Sequence, residues 1–416
     1  MAQGRLRRTG LQILAVLLLA AVVAVFLDRA AARHGFFDLQ IYYGSLRHWL
    51  DGGHLYDWLK PGTKYGFTYP PFAALVMLPM AYLPWWPVMV ISVTLSVLAG
   101  ALVIWWLLDP VARRAGWSRW FAFAVVACLA AAFEPLRETV NFGQVNLLLL
   151  ALVAADLLLL VAPYPVAGGR WATRWRRFAG VGIGLATAIK LTPGIFIMYL
   201  LVTGRWRAMF TAIGTAVVAT LLAAAVAPDT SREFWTAALW DTDRVGTLAF
   251  ISNQSWQGMV ARLNPAEPDK LAWALLVAAT LIFWAWRCRR AVAVGDEATG
   301  FALTGVVGCL VSPVTWVHHL VWLLPALLLL VDSALAAPAG SRRRRGLLCF
   351  AIGGYLLLIS RLVWHWEHDF TGFDGFLGSN AYVWISAALL LGLPIRDRAQ
   401  FAEVAPRRPG SRRSPR

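Results

Sequence analysis

Apolar stretches of roughly 15 to 22 residues recur from one end of this chain to the other, and they limit its fold more than any other feature. A helix needs about 20 such residues to cross a bilayer, so the chain reads as an all-α polytopic membrane protein. Composition agrees: 59% of residues are hydrophobic and 14% charged, against about a half and a quarter in soluble domains. The first stretch, from Leu11 to Leu27, is too long for a removable signal peptide. No small-x-small cleavage site followed by a soluble domain comes after it, so it reads as a retained span.

The formal net charge of +16 invites a nucleic-acid partner, but its distribution excludes one. Arginines gather between the apolar runs, at Arg5 to Arg8, Arg113 and Arg114, Arg170 to Arg177, Arg205 and Arg207, Arg287 to Arg290, Arg342 to Arg345, and Arg396 to Arg416. That is how cytoplasmic loops look under the positive-inside rule. Both termini are then cytoplasmic, which requires an even number of crossings, and thirteen apolar stretches are present. The segment 70–84, bracketed by Pro70, Pro71, Pro84 and Pro87 and interrupted by Pro79, is the one expected not to cross. About twelve crossings of the plasma membrane remain.

The segments 30–70, 134–143, 228–270, 312–316 and 364–380 fall outside, and they hold most of the acidic, histidine and asparagine residues. One membrane domain, 1–395, with large outer loops at 30–70 and 228–270, is followed by a basic cytoplasmic tail, 396–416. No internal repeat is visible, which weakens a transporter built from duplicated halves. The four cysteines lie in or beside apolar stretches, without disulfide or zinc spacing.

Several outer segments can carry chemistry. "HGFFDLQIYYGSLRHWLDGG", from His34, places Tyr42, Leu46, Trp49 and Leu50 at helical spacing, which predicts an amphipathic helix along the outer bilayer surface. Asp38 falls at its expected N-cap, where an aspartate needs no further purpose; it is equally a candidate functional carboxylate. "FEPLRETVNFGQVN" carries Glu134, Arg137 and Glu138 on one helix face and opens the next apolar run with Gln144 and Asn146. Amides at that depth either bond between helices or face a cavity. Lys190, in "GLATAIKLTPGIF", belongs to a hairpin turning at Pro193 with its tip outward, where it snorkels to water or receives an anion. His318 and His319 in "SPVTWVHHLVW" point about 100° apart on a helix, unsuited to sharing one metal. "WDTDRV", with Asp241 and Asp243, resembles a metal-binding D-x-D, but it lies where nucleotide sugars are not supplied. "ISNQSW" adds Asn253 and Gln254, which suit sugar hydroxyls and equally an ordinary loop. "HWEHDFTGFDG" contains an H-x-x-H with acids.

Taken together, "FFDLQIYYGSLRHWLDGGHLYD", "GFTYPPFAALVMLP", "NFGQVNLLLLAL", "AIKLTPGIFIMYLLVTGRWRA", "SNQSWQGMVARL" and "SPVTWVHHLVWLLPAL" resemble, in order, glycosyltransferase family 87. This is an actinobacterial membrane family of the GT-C superfamily that includes α-1,2-mannosyltransferases using polyprenyl-phosphate mannose. The resemblance spans about 30 to 335. It implies a GT-C fold with its active site outside, a lipid-linked sugar donor, no cofactor or metal, and a glycolipid acceptor such as a phosphatidylinositol mannoside. It makes Asp38, in the first outer loop, the expected general base. Lys190, His318, His319 and Arg137 become candidates for the donor phosphate. Tyr42, Tyr69, Glu138, Asn141, Gln144, Asn146, Asn253, Gln254 and Trp316 become candidates for sugar and acceptor. Donors such as polyprenyl-phosphate arabinofuranose, or transport of a lipid-linked sugar, are the alternatives.

Overall fold

The computed structural model describes residues 2–30, 34–161, 175–241 and 246–396. Asp243, Arg170, Arg174 and the tail from 397 lie outside the described residues. The described residues are mainly helical, with one isolated bridge between Leu59 and Gly66 and no strand among them. Among them, five helices are long and apolar enough to cross a membrane: Arg7–Arg29, Trp85–Arg114, Trp206–Val226, Lys270–Ala293 and Val317–Ala336. Two bent pairs raise this to seven, Arg119–Ala132 with Glu134–Phe142 at 68° and Gly372–Ser379 with Ala381–Gly392 at 60°. The first bend falls at Phe133, which is extended, two residues before Pro135. Proline starts a helix well but cannot continue the one before it.

Other expected crossings are short, and the shortness is informative. Asn146–Val161 has 16 residues and Glu297–Val311 has 15, about 24 and 22 Å of helix against a hydrocarbon core of about 30 Å. Residues 71–82 form a seven-residue helix and a 3₁₀ turn. The hairpin around Lys190 has arms of nine and eight residues, Val181–Ile189 and Ile195–Val202. Its first arm runs parallel to Trp206–Val226, Gly180 lying against Ala208 and Gly184 against Ala212.

Ion pairs gather the arginine-bearing helix ends at one end of the bundle. Arg114 holds Asp332 through two bonds of 2.6 and 2.8 Å, and Arg396 reaches Asp296 and Asp332. Arg205 pairs with Glu297, and Arg289 donates to the carbonyl of Val202. The candidate residues lie at the opposite end.

There the segment 34–83 is a compact structure with its own core, not a loose loop. Leu39, Tyr42, Leu46, Leu55, Tyr56, Phe67 and Tyr69 are buried together with Phe234. The helix Phe37–Leu50 therefore buries its apolar face in protein. This small core meets the main bundle core at Val145 and Ile189, which pack against both. Those two residues are the neighbours of Gln144, Asn146 and Lys190, so the candidate site lies on the seam.

Candidate active site

Asp38 does not cap its helix. The N-cap is Phe36, held with Gly35 in the left-handed region, and no side chain caps the end. Phe36 is fixed from its backbone, its N–H donating to the carbonyl of Asn141 at 3.0 Å. Asp38 stands one residue inside the helix, and its Oδ2 accepts from Gln144 Nε2 at 2.7 Å. Burial pushes its carboxyl up to about 6 from an ordinary 3.8, outweighing the Gln144 bond and the nearby Lys190, His34 and Lys60, which pull it down. Oδ1 has no hydrogen-bond partner among the described residues.

A chain of contacts runs from Asp38 to Lys190. Gln144 Oε1 accepts from Tyr69 Oη at 2.6 Å, and that oxygen accepts from Tyr42 Oη at 2.9 Å and Lys190 Nζ at 3.2 Å. Both phenols are buried, which raises them well above the ordinary phenol range and keeps them protonated. Lys190 follows the last residue of its helical arm and is 8% exposed. Its other partners are Asn146 Oδ1 at 3.0 Å and His319 Nε2 at 2.9 Å. All three partners are neutral donors or acceptors, and no carboxylate touches the amine.

Of the two histidines, His319 is the one at Lys190. Its Nδ1 faces the Trp316 N–H at 3.2 Å. The His318 ring lies on Phe142, whose ring also stacks on His34, and its carbonyl accepts from Thr139 and Asn146. Trp316 is half-buried, its ring edge-on to Phe250.

Other expected residues lie elsewhere. Arg137 turns away from Lys190; its neighbours are the Ala132 carbonyl, Glu138 at 3.7 Å and the Phe26 ring. Glu138, buried beside it, faces His34 Nε2 at 2.6 Å. Glu134 accepts from Trp364 and Tyr382 and ties this helix to the C-terminal helices. Asn253 and Gln254 spend their amides within a buried knot. Asn253 donates to the carbonyls of Leu248 and Pro313 and accepts from the Thr315 N–H and Ser255. Gln254 donates to the carbonyls of Ile251 and Ser379. They brace the segment leading to Trp316 and His319 and offer no amide hydrogen to a ligand. No group of three His, Cys, Asp or Glu able to hold a metal occurs among the described residues.

Sequence reasoning missed Asp156. Its carboxylate, 2% exposed inside an apolar helix, accepts from the Ile183 N–H at 2.7 Å, with the N–H groups of Gly180 and Gly182 also directed at it. It caps the hairpin arm that carries Lys190. The signal was available, since a lone acid in an apolar run needs a partner.

Residues 67–313 match glycosyltransferase family 87. A polyprenol-phosphate-mannose-dependent alpha-(1-2)-phosphatidylinositol mannoside mannosyltransferase of Mycolicibacterium smegmatis is 36% identical over 314 residues, 70% of this chain and 68% of the relative. The protein of that name from Mycobacterium tuberculosis is 32% identical over 387 residues, 87% and 85% of the two chains. A phosphatidylinositol pentamannoside mannosyltransferase of M. smegmatis, also polyprenol-phosphate-mannose-dependent, is 32% identical over 358 residues, 82% and 80%. No solved structure matches. A helical membrane protein matching the family over more than half its length, this chain belongs to glycosyltransferase family 87.

Proposed function

We propose that the chain transfers mannose from polyprenyl-phosphate mannose to a hydroxyl of a phosphatidylinositol mannoside or related glycolipid, forming an α-1,2 linkage with inversion. The observation that carries this reading is Lys190: a buried amine with three neutral hydrogen-bond partners and no carboxylate bonded to it, joined to the Asp38 carboxylate through Tyr69 and Gln144. A cation placed so has no counter-ion in direct contact, Asp38 acting on it only across the two intervening side chains, and an anionic leaving group supplies one. Asp38 takes the acceptor proton on Oδ1 as the acceptor oxygen bonds to the anomeric carbon. The bond from that carbon to the phosphate oxygen breaks on the opposite face, and Lys190 and His319 hold the departing polyprenyl phosphate. The relatives' names supply mannose and the acceptor class. The reading assigns no cofactor.

The topology that suits it has the arginine end in the cytoplasm and the site facing out of the plasma membrane. The five long helices, two bent pairs, the helices Asn146–Val161, Glu297–Val311 and Arg342–Ile359, and the two arms of the Lys190 hairpin make twelve passes, with both termini inside.

The test is purified protein in lipid with synthetic polyprenyl-phosphate mannose and phosphatidylinositol tetramannoside, read by mass spectrometry. Wild type adds one hexose, and folded Asp38→Asn loses roughly 10²–10⁴-fold in rate. An active Asp38→Asn removes the general-base assignment, and a wild type inactive with every mannosyl lipid tried removes the donor.

A further inference from the structure

Gln144 suits a sugar hydroxyl by residue type, yet both ends of its amide are used inside the protein. The direction of each bond follows from the partners. Tyr42 and the Lys190 amine both donate to the Tyr69 oxygen, which leaves the Tyr69 proton for Gln144. Gln144 therefore presents oxygen to Tyr69 and N–H to Asp38, and cannot turn over without breaking bonds of 2.6 and 2.7 Å. Tyr69 is fixed in turn, its carbonyl accepting from Tyr56 Oη at 2.8 Å and its ring packed at 5.2 Å from Tyr42 and 6.0 Å from Phe67. The result is a rigid strut, from Tyr69 in the small core to Gln144 at the head of a bundle helix, ending on one oxygen of the base.

We propose that Gln144 is a positioning residue for Asp38. Held by Tyr69, it turns Oδ2 into the strut, leaves Oδ1 for the acceptor hydroxyl, and keeps the carboxylate ionised where burial opposes ionisation. This inference rests on the reading of Asp38 as base. A hydrogen bond donated to the charged form of an acid favours that form, and Gln144 is the one side chain that donates to this carboxylate among the described residues. The titratable groups facing Asp38 are Lys190 across the strut, His34 before its own helix, Lys60, Tyr42 and Tyr69. His319 lies beyond Lys190 and Glu138 beyond His34. None of them takes the place of the amide, because none bonds to Asp38.

The prediction is a displaced pH profile at nearly unchanged donor binding. The measurement is kcat/KM for the acceptor between pH 5 and 9 at saturating polyprenyl-phosphate mannose, with the full chain in lipid nanodiscs. Gln144→Leu moves the acidic limb upward by roughly one pH unit, a tenfold change in the ionisation constant. Relative to wild type at the same pH, activity falls roughly fivefold at pH 6, as the ionised fraction of a group near 6 drops when it moves up one unit, and most of it returns at pH 8.5, while KM for the donor stays within twofold. Tyr69→Phe, of the same shape and not hydrogen-bonded to Asp38, gives a smaller shift in the same direction by freeing the amide to turn. An equal loss at every pH in both variants overturns the proposal, as does a tenfold rise in donor KM, which would make Gln144 a sugar contact. Asp38→Asn run alongside separates the two claims. If it is inactive while the Gln144→Leu limb stays in place, the strut falls and the base stands. If it is active, both fall.

Discussion

Replacing Gly182 with alanine tests whether packing or chance puts Lys190 where it is. A Cβ built at Gly182 lies 2.2 Å from the carbonyl oxygen of Leu152 and 3.0 Å from its carbon. Both belong to helical backbone and cannot rotate aside. Ordinary contact begins at 3.4 Å, so the two helices must part by about 1.2 Å. Retreat on the other side is blocked, because Gly184 already lies with its would-be Cβ 2.5 Å from the carbonyl oxygen of Ala212. The arm must tilt, and eight residues on it carries Lys190, whose three bonds of 2.9, 3.0 and 3.2 Å have little room to lengthen. One partner, Asn146, starts the very helix being pushed away. Overpacking of this kind costs about 1–3 kcal/mol, and a misplacement of about 1 Å at a reacting centre can cost 10²-fold. Gly182→Ala should melt lower than wild type and lose about 10²-fold in kcat/KM for the donor. Gly214→Ala, whose Cβ meets nothing within 4 Å, should match wild type in both. The assay is mannosyl transfer in nanodiscs, with thermal unfolding in parallel. Gly182→Ala with wild-type activity and melting would refute the idea that glycine packing seats the lysine.

Two further outcomes follow from two carboxylates, Asp38 half-buried and Asp156 buried. Asp38, raised to about 6, binds a proton in the folded chain at pH values where the unfolded chain has released it. Its contribution to stability is therefore fully present below about 3.8 and is lost as pH rises through about 6, while activity, which needs the carboxylate, rises over the same interval. Asp38→Asn should accordingly be inactive yet melt at or above wild type at pH 7.5, and a clearly lower melting point would contradict this. Asp156→Ala orphans the Ile183 N–H and its neighbours at the hairpin's start, at about 1–3 kcal/mol for a buried unpaired group. Asp156→Asn, which keeps one acceptor oxygen, should lose less, and equal melting of the two variants would deny the capping role.

How much of this was legible in the sequence differs residue by residue, for physical reasons. Lys190, Gln144 and Asn146 stood out because polar side chains in apolar runs need partners, and the structure joins them to one network. Asp38 was visible as an acid in the segment that follows the first apolar run. Its assignment as a cap was not recoverable, because the helix starts on a left-handed Phe36 fixed from Asn141, 105 residues away. Asn253 and Gln254 read like sugar ligands, since an amide bonded to distant carbonyls looks the same in sequence as a free one. Arg137 and Glu138 are adjacent on a helix and so point about 100° apart. Local spacing could not say which of the two faces the site, and in the structure Arg137 points toward Phe26 and Glu138 toward His34. The number of crossings was less legible for another reason: hydropathy measures how long an apolar run is, and is blind to a helix that ends inside it.

Those early endings are what make a polar site possible at membrane depth. Away from water, each unpaired polar group costs several kcal/mol, so a network there must be closed internally or completed by a ligand. Asn146, Gln144, Tyr69 and Lys190 occur where Asn146–Val161 and the hairpin arm stop, and the first segment's core closes over them. Within this set the amide, the phenols and Asn146 bond to one another or to backbone. Two features stay incomplete. Asp38 Oδ1 accepts nothing among the described residues, and the Lys190 amine has hydrogen-bond partners but no counter-charge in direct contact. They lie at the two ends of one strut, one able to take a proton and the other able to hold an anion. A sugar phosphate between a hydroxyl and a lipid satisfies both at once, and satisfies them most fully when charge has moved from the attacking oxygen to the leaving phosphate.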